Sequence, residues 1–183
     1  MDEAPTHRRF NLRLKNFDYS QPGYYFVTIC VPDWKPILSR VFGGKVILNQ
    51  AGTAVHKTWL DLPRRFPSIN IHEFVVMPNH FHGILQLTQP IRIAPKGAAS
   101  SAPTTGKPFE YPTVGKVLRA FKSISAIDVN RILVRKAEPV WQRGYYDHII
   151  RTGQDFEEIR AYILENPARW EQRSAQNPGN SAF

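Results

Sequence analysis

Cysteine is all but missing: Cys30 is the one thiol in 183 residues. No disulfide can close within the chain, and thiolate metal clusters are excluded. Long hydrophobic runs are missing too. The longest, Tyr24 to Val31, falls far short of the ~20 residues that a membrane-spanning helix needs, so no membrane partner is expected. The first residues carry Asp2 and Glu3 and no apolar stretch, so a secretory signal is not expected. Acidic residues are scarce, 15 against 24 Lys plus Arg, and the formal net charge is +9. That imbalance favours a polyanionic partner, most simply nucleic acid. Hydrophobic residues make up 42% of the chain, which excludes the low-hydrophobicity composition of a disordered protein. The length suits about one domain in a reducing cytoplasm.

What is present divides into segments. Arg8, Arg9, Arg13 and Lys15 alternate with Phe10, Leu12 and Leu14. This stretch reads either as a solvated arm or as an arm that contacts phosphates. Tyr24 to Val31 is rich in aromatic and β-branched residues and closed by Pro32, as a buried strand would be. Ile47 to Arg65 can hold an amphipathic helix with Val55, Trp59 and Leu62 on one side. Ile69 to Met77 and His80 to Leu87 read as two strands of a hairpin around Pro78-Asn79. Gln89 to Pro112 holds five prolines among Ala, Ser, Thr, Gly and Lys. It reads as a flexible insertion inside one domain.

Val114 to Val134 has the period of a long helix, with Lys116, Arg119 and Lys122 recurring beside its apolar stripe. Val140 to Arg151 reads as a fourth strand. Asp155 to Asn166 reads as a last helix ended by Pro167. Residues 7–170 then form a single domain, with 1–6 and 173–183 as frayed tails. Hairpins exclude an all-parallel sheet. The expected fold is α+β, an antiparallel sheet with packed helices.

Chemistry concentrates in Val76-Met77-Pro78-Asn79-His80-Phe81-His82-Gly83. Side chains alternate along a strand, so His80 and His82 share a face and Phe81 points to the core. Such a pair can chelate one divalent cation, or can simply be surface histidines. Gly83 would let a ligand approach the pair closely. A zinc protease would need its two histidines four apart on a helix with a glutamate between them, and that is not the pattern. Any third ligand must come from elsewhere. Tyr162 and Asn166 lie one helical turn apart on a shared face, at the margin of the apolar stripe, where a tyrosine can pack or can reach a cleft. Tyr146 and His148 share a face of the fourth strand. Tyr146 is therefore a rival nucleophile, and His148 an extra ligand or base.

Taken together, Arg8-Arg9 through Gly23, Tyr25-Phe26-Val27-Thr28, the Pro78-Asn79-His80-Phe81-His82 segment, Gly115 through Ser123, Trp141-Gln142 through Arg151, and Tyr162-Ile163 with Asn166-Pro167 resemble the REP-associated tyrosine transposases. These are single-tyrosine members of the HUH single-strand endonuclease superfamily. The segments occur in the family's order and span about residues 7 to 170. The resemblance implies a ferredoxin-like (RRM-like) palm, Tyr162 as nucleophile, and a metal site of His80, His82 and Asn166 for Mg²⁺ or Mn²⁺. It implies cleavage and rejoining of single-stranded DNA at hairpin (REP-like) elements through a 5′-phosphotyrosine link, in a bacterial cytoplasm at the nucleoid. A free phenol ionises near ~10, so the nucleophile needs activation, with His148 as a helper. Arg8, Arg9, Arg13, Lys15, Lys116, Arg119 and Lys122 would contact DNA phosphates. Tyr145 and Trp141 are aromatic candidates for stacking on bases, though core packing is the simpler reading for both. The family contains monomers and dimers that share sites, so a homodimer is allowed. Two other functions fit the same residues: a hairpin-binding protein without turnover, and a metal-dependent phosphohydrolase that uses water.

Overall fold

In the computed structural model, residues 18–88 and 112–176 are described. The basic arm with Arg8, Arg9, Arg13 and Lys15, nearly all of the Gln89 to Pro112 segment, and residues 177–183 lie outside them. The elements run β1 (Gly23–Cys30), β2 (Ser39–Phe42), β3 (Lys45–Leu48), α1 (Gln50–Leu60), α2 (Leu62–Arg65), β4 (Ile69–Val76), β5 (His80–Leu87), α3 (Val114–Ile132), β6 (Tyr146–Ile150) and α4 (Gly153–Gln176).

Four strands form one antiparallel sheet in the order β4-β5-β1-β6. Helix α1 links β1 to β4 and α3 links β5 to β6, which gives the βαββαβ path of a ferredoxin-like fold. The expected α+β architecture is the observed one.

Alternation sorts the strands into two unlike faces. Tyr25, Val27, Ile29, Phe81 and Leu85 point toward α1 and α3 and join the main core. Trp59 of α1 and Phe121 of α3 meet Phe81 there, with ring centroids 4.6 and 5.1 Å away. Gly83 belongs to this face. A Cβ on it would stand 2.9 Å from the rings of both Phe81 and Trp59. Gly83 therefore makes room for tryptophan in the core, and not for a ligand beside the histidines. The opposite face carries Phe26 and Ile84, which cluster with Ile150 and with Ile163 of α4.

The structure departs from the sequence reading in three places. First, residues 39–48 form a β2–β3 hairpin. Its turn, Gly43-Gly44, has φ of 59° and 68°, which glycine adopts without cost. Helix α1 starts after it at Gln50, where the Asn49 side chain accepts from Gly52 N at 2.9 Å and caps the first turn. Second, β6 begins at Tyr146, not Val140. The Lys122 ammonium instead fixes residues 142–144 as a loop by donating to the Gln142 and Gly144 carbonyls, 2.7 Å each.

Third, Pro167 does not end α4, which runs on to Gln176, so residues 173–176 are helical rather than frayed. A proline inside a helix forfeits a hydrogen bond and costs ~3 kcal/mol. Here Asn166 and Pro167 are buried, and Glu171, one turn later, accepts from Gly43 N at 2.9 Å and Gly44 N at 2.6 Å. Packing and this carboxylate bridge hold the helix past the proline.

Candidate active site

The β4–β5 turn at Pro78-Asn79 delivers His80 and His82 to the face under α4, both buried, at 8% and 5% exposure. Their ring centroids are 4.6 Å apart. Each imidazole is held at Nδ1. Asn79, fully buried, donates from Nδ2 to the Trp34 carbonyl at 3.0 Å. Its Oδ1 is therefore the acceptor for His80 Nδ1–H at 2.6 Å. That bond leaves the His80 lone pair on Nε2. His82 Nδ1 meets Thr28 Oγ1 at 2.8 Å. Thr28 sits directly across the β1–β5 ladder from His82.

Helix α4 closes the site from above. Tyr162 Oη lies 3.4 Å from His82 Nε2, a long contact, and its ring stands edge-on to Phe26, which stacks on His82. Asn166, one turn on, is buried and close enough to His80 to influence its titration. The structure thus brings Tyr162, His80, His82 and Asn166 together. Asn166 keeps its helical place next to Pro167, because the helix continues past it.

Burial dominates the electrostatics. Desolvation lowers the His80 pKa to about 4, with the Asn166 side chain pulling the other way. Desolvation and the neighbouring His80 hold His82 well below the usual imidazole range. Both rings are neutral at pH 7, as metal ligands must be. Cys30, paired with His80 across the sheet, is no rival ligand: burial pushes its thiol up to about 11, so it stays protonated.

Among the described residues, no group of three or more His, Cys, Asp or Glu could hold a metal. The remaining donors are neutral oxygens, the Asn166 amide and the Tyr162 hydroxyl. Two neutral imidazoles with both Nδ1 atoms occupied keep Nε2 for ligation, which suits a divalent ion whose other positions go to substrate and water.

Other expected residues fall elsewhere. His148 stands on the same sheet face, but its Nε2 pairs with Asp155 at the start of α4, at 3.0 and 3.2 Å. Its partner is a helix terminus and not the nucleophile. Tyr146 is 42% exposed on β6, and no hydrogen bond or ring contact joins it to either histidine. Lys122 is half-buried and donates to two carbonyls of the 142–144 loop, while lining the same cleft as Lys116 and Arg119. Lys116 and Arg119 line an open cleft of about 630 Å³ with Thr113, Gly115 and Tyr145. That cleft lies along α3, on the other side of the sheet from Tyr162. Trp141 is a core residue whose Nε1 donates to Ser125 Oγ at 2.9 Å, and Tyr145 packs against the same core.

Sequence reasoning missed Thr28, Trp34 and Trp170. Trp170 is 5.8 Å and Trp34 6.4 Å from the His80 ring. The Thr28 signal was available: it lies on the alternate face of β1 that also carries Phe26.

No family model matches the sequence. An uncharacterized protein of Haemophilus influenzae is 34% identical over 175 residues, covering 92% of this chain and 93% of the relative. The chain belongs to the same family as this protein. Among solved structures, a REP-associated tyrosine transposase bound to a REP hairpin superposes with a TM-score of 0.54 and 19% identity. The match covers 86% of this chain and 73% of that one. The fold is that of the REP-associated tyrosine transposases, as the motifs implied. No helix among the described residues is long and apolar enough to cross a membrane.

Proposed function

We propose that the protein is a metal-dependent single-stranded DNA transesterase that cleaves and rejoins strands at hairpin-forming elements. The observation that carries this reading is the position of the Tyr162 hydroxyl, 3.4 Å from His82 Nε2, beside buried His80 and Asn166. A transposase fold supports it, as does a hairpin on the neighbour of that fold.

His80, His82 and Asn166 would hold Mg²⁺ or Mn²⁺. When bound, such an ion supplies a Lewis acid for the oxygens of the scissile phosphate. Imidazole and amide donors are a softer set than Mg²⁺ usually takes, which favours Mn²⁺ in assays and lets Zn²⁺ compete. Tyr162 attacks phosphorus: a Tyr Oη–P bond forms, the P–O3′ bond breaks, and a free 3′-OH leaves. Attack by a new 3′-OH reverses the step and rejoins the strand without ATP. His82, less basic than an ordinary imidazole, is a poor acceptor for the phenol proton. With Nδ1 held by Thr28, its Nε2 would go to the ion and place it beside the Tyr162 hydroxyl. Thr28 and Asn79 fix the two ring planes, and α4 excludes water from them. Lys116 and Arg119, across the sheet, suit phosphates of the DNA outside the cleavage point, and their contribution should weaken as salt rises.

The test is a denaturing gel of the protein with single-stranded hairpin oligonucleotides and Mn²⁺. A metal-dependent covalent adduct is expected, lost in Tyr162→Phe and kept in Tyr146→Phe. Binding without any adduct would move the assignment to a hairpin-binding protein. An adduct surviving Tyr162→Phe would overturn the nucleophile, and strand cleavage surviving it without an adduct would indicate a hydrolase using water.

A further inference from the structure

The chain has four tryptophans. Trp59 and Trp141 are buried under the sheet's core face. The other two, Trp34 and Trp170, are half-exposed, and both stand against His80. Trp34 approaches edge-on at an interplanar angle of 73°, Trp170 tilted at 46°. They arrive from separate elements. Trp170 follows Tyr162 and Asn166 at four-residue intervals, so the phenol, the amide and the indole form one stripe along α4. Trp34 sits on the short turn after β1, where Asp33 and Trp34 have φ of 56° and 55°.

Left-handed backbone at a bulky residue is strained and persists only where the surroundings enforce it. Here the enforcing bond is known: the Trp34 carbonyl receives Asn79 Nδ2. The turn that orients the first histidine therefore also presents an indole next to it. Core packing does not explain a half-exposed ring on a strained turn. Two partly exposed indoles beside a phosphate-processing site suit a planar aromatic ligand.

We propose that Trp34 and Trp170 form a stacking site for an unpaired base of the strand whose phosphate meets Tyr162. This rests on the transesterase reading for its substrate. Stacking is tolerant of base identity because every base has a π-face. It is selective for single strands, since a base within a duplex has its faces already stacked. The site would select unpaired DNA at the cleavage point. Sequence would be read elsewhere.

The experiment crosses protein and DNA changes in Mn²⁺. Affinity for a single-stranded hairpin oligonucleotide is measured by anisotropy for wild type, Trp34→Leu, Trp170→Leu and the matching Phe variants. Each is tested with intact DNA and with a series of single abasic sites through the unpaired segment. Wild type should lose about tenfold at one abasic position, within the range of base–aromatic stacking. The Leu variants should lose a similar factor on intact DNA and nothing more at that abasic position, and Phe should recover most of the loss. If the tryptophans only cover His80, the Leu variants will weaken binding equally on intact and abasic DNA, and the proposal is overturned. Adduct formation is scored in parallel. An adduct without coupling sinks the stacking site and leaves the reaction standing. Coupling without any adduct sinks the reaction and leaves the stacking site standing.

Discussion

Beneath α1 and α3 the sheet meets hydrocarbon and aromatic rings; beneath α4 the same strands present two imidazoles, a threonine hydroxyl and only a small apolar cluster. Along β5 the contrast is residue by residue, Phe81 and Leu85 against His80 and His82. The core face can be closed by packing alone. The α4 face cannot, because neutral imidazoles and an amide must find partners when buried. Helix α4 is accordingly tied at its ends and middle by polar contacts: Asp155 with His148, Arg160 with Glu73, and Glu171 with the Gly43-Gly44 turn. One face supplies stability, and the other carries the chemistry and the helix that completes it.

The largest effect should come from the core face. Trp59→Ala empties the space between Phe81, Phe121 and Gly83 and should cost about 3–5 kcal/mol, a large share of the ~5–15 kcal/mol typical of a domain. Phe26→Ala, under α4, should cost less in urea unfolding because its cluster is small. Equal losses would break the division between the faces.

The next effect is specific to the α4 face. Buried His80 titrates at about 4 when folded and near ~6.5 when unfolded. As pH falls through that window, the unfolded chain takes up the proton first. Stability is thus complete above about 6.5 and is lost toward pH 4, by roughly 3 kcal/mol for this group. His82 shifts in the same direction and deepens the loss. Urea titrations of the metal-free protein from pH 7 to 4 should show this slope, flattened in His80→Asn. An unchanged slope in that variant would place the acid sensitivity elsewhere.

Much of this was legible in the residues. Alternation alone put His80 and His82 on one face and Phe81 on the other, and helical spacing joined Tyr162 to Asn166. What failed did so for physical reasons. The β2–β3 hairpin shows its signal in Gly43-Gly44 between alternating residues, but its strands are four residues each and Ile47 also suits a helix start. Pro167 ends a helix by local rules, and only tertiary contacts such as Glu171 to the hairpin turn override them. Lys122 looks like one of a stripe of phosphate contacts. Its recruitment by two carbonyls twenty residues away has no local signature. Trp34 and Trp170 are brought to His80 from distant points in the chain, and spacing cannot show that.

The smallest effect isolates the tie that sequence could not reveal. In Glu171→Gln the amide keeps one acceptor oxygen, so one of the two backbone N–H groups at Gly43-Gly44 loses its partner. The half-exposed position limits the cost to about 1 kcal/mol, too little to unfold the core face. The consequence should be local. Asn166 and Trp170 ride on the turns that Glu171 anchors, so Mn²⁺ affinity should fall a few-fold. Amide exchange in residues 168–176 should quicken while β5 exchanges as before. The Arg160–Glu73 pair, with side chains 43% and 26% exposed, should matter less, because surface ion pairs contribute ~0–1 kcal/mol. If Arg160→Ala instead loosens α4 more than Glu171→Gln does, the helix is held from its middle. The hairpin turn would then be a bystander to the site.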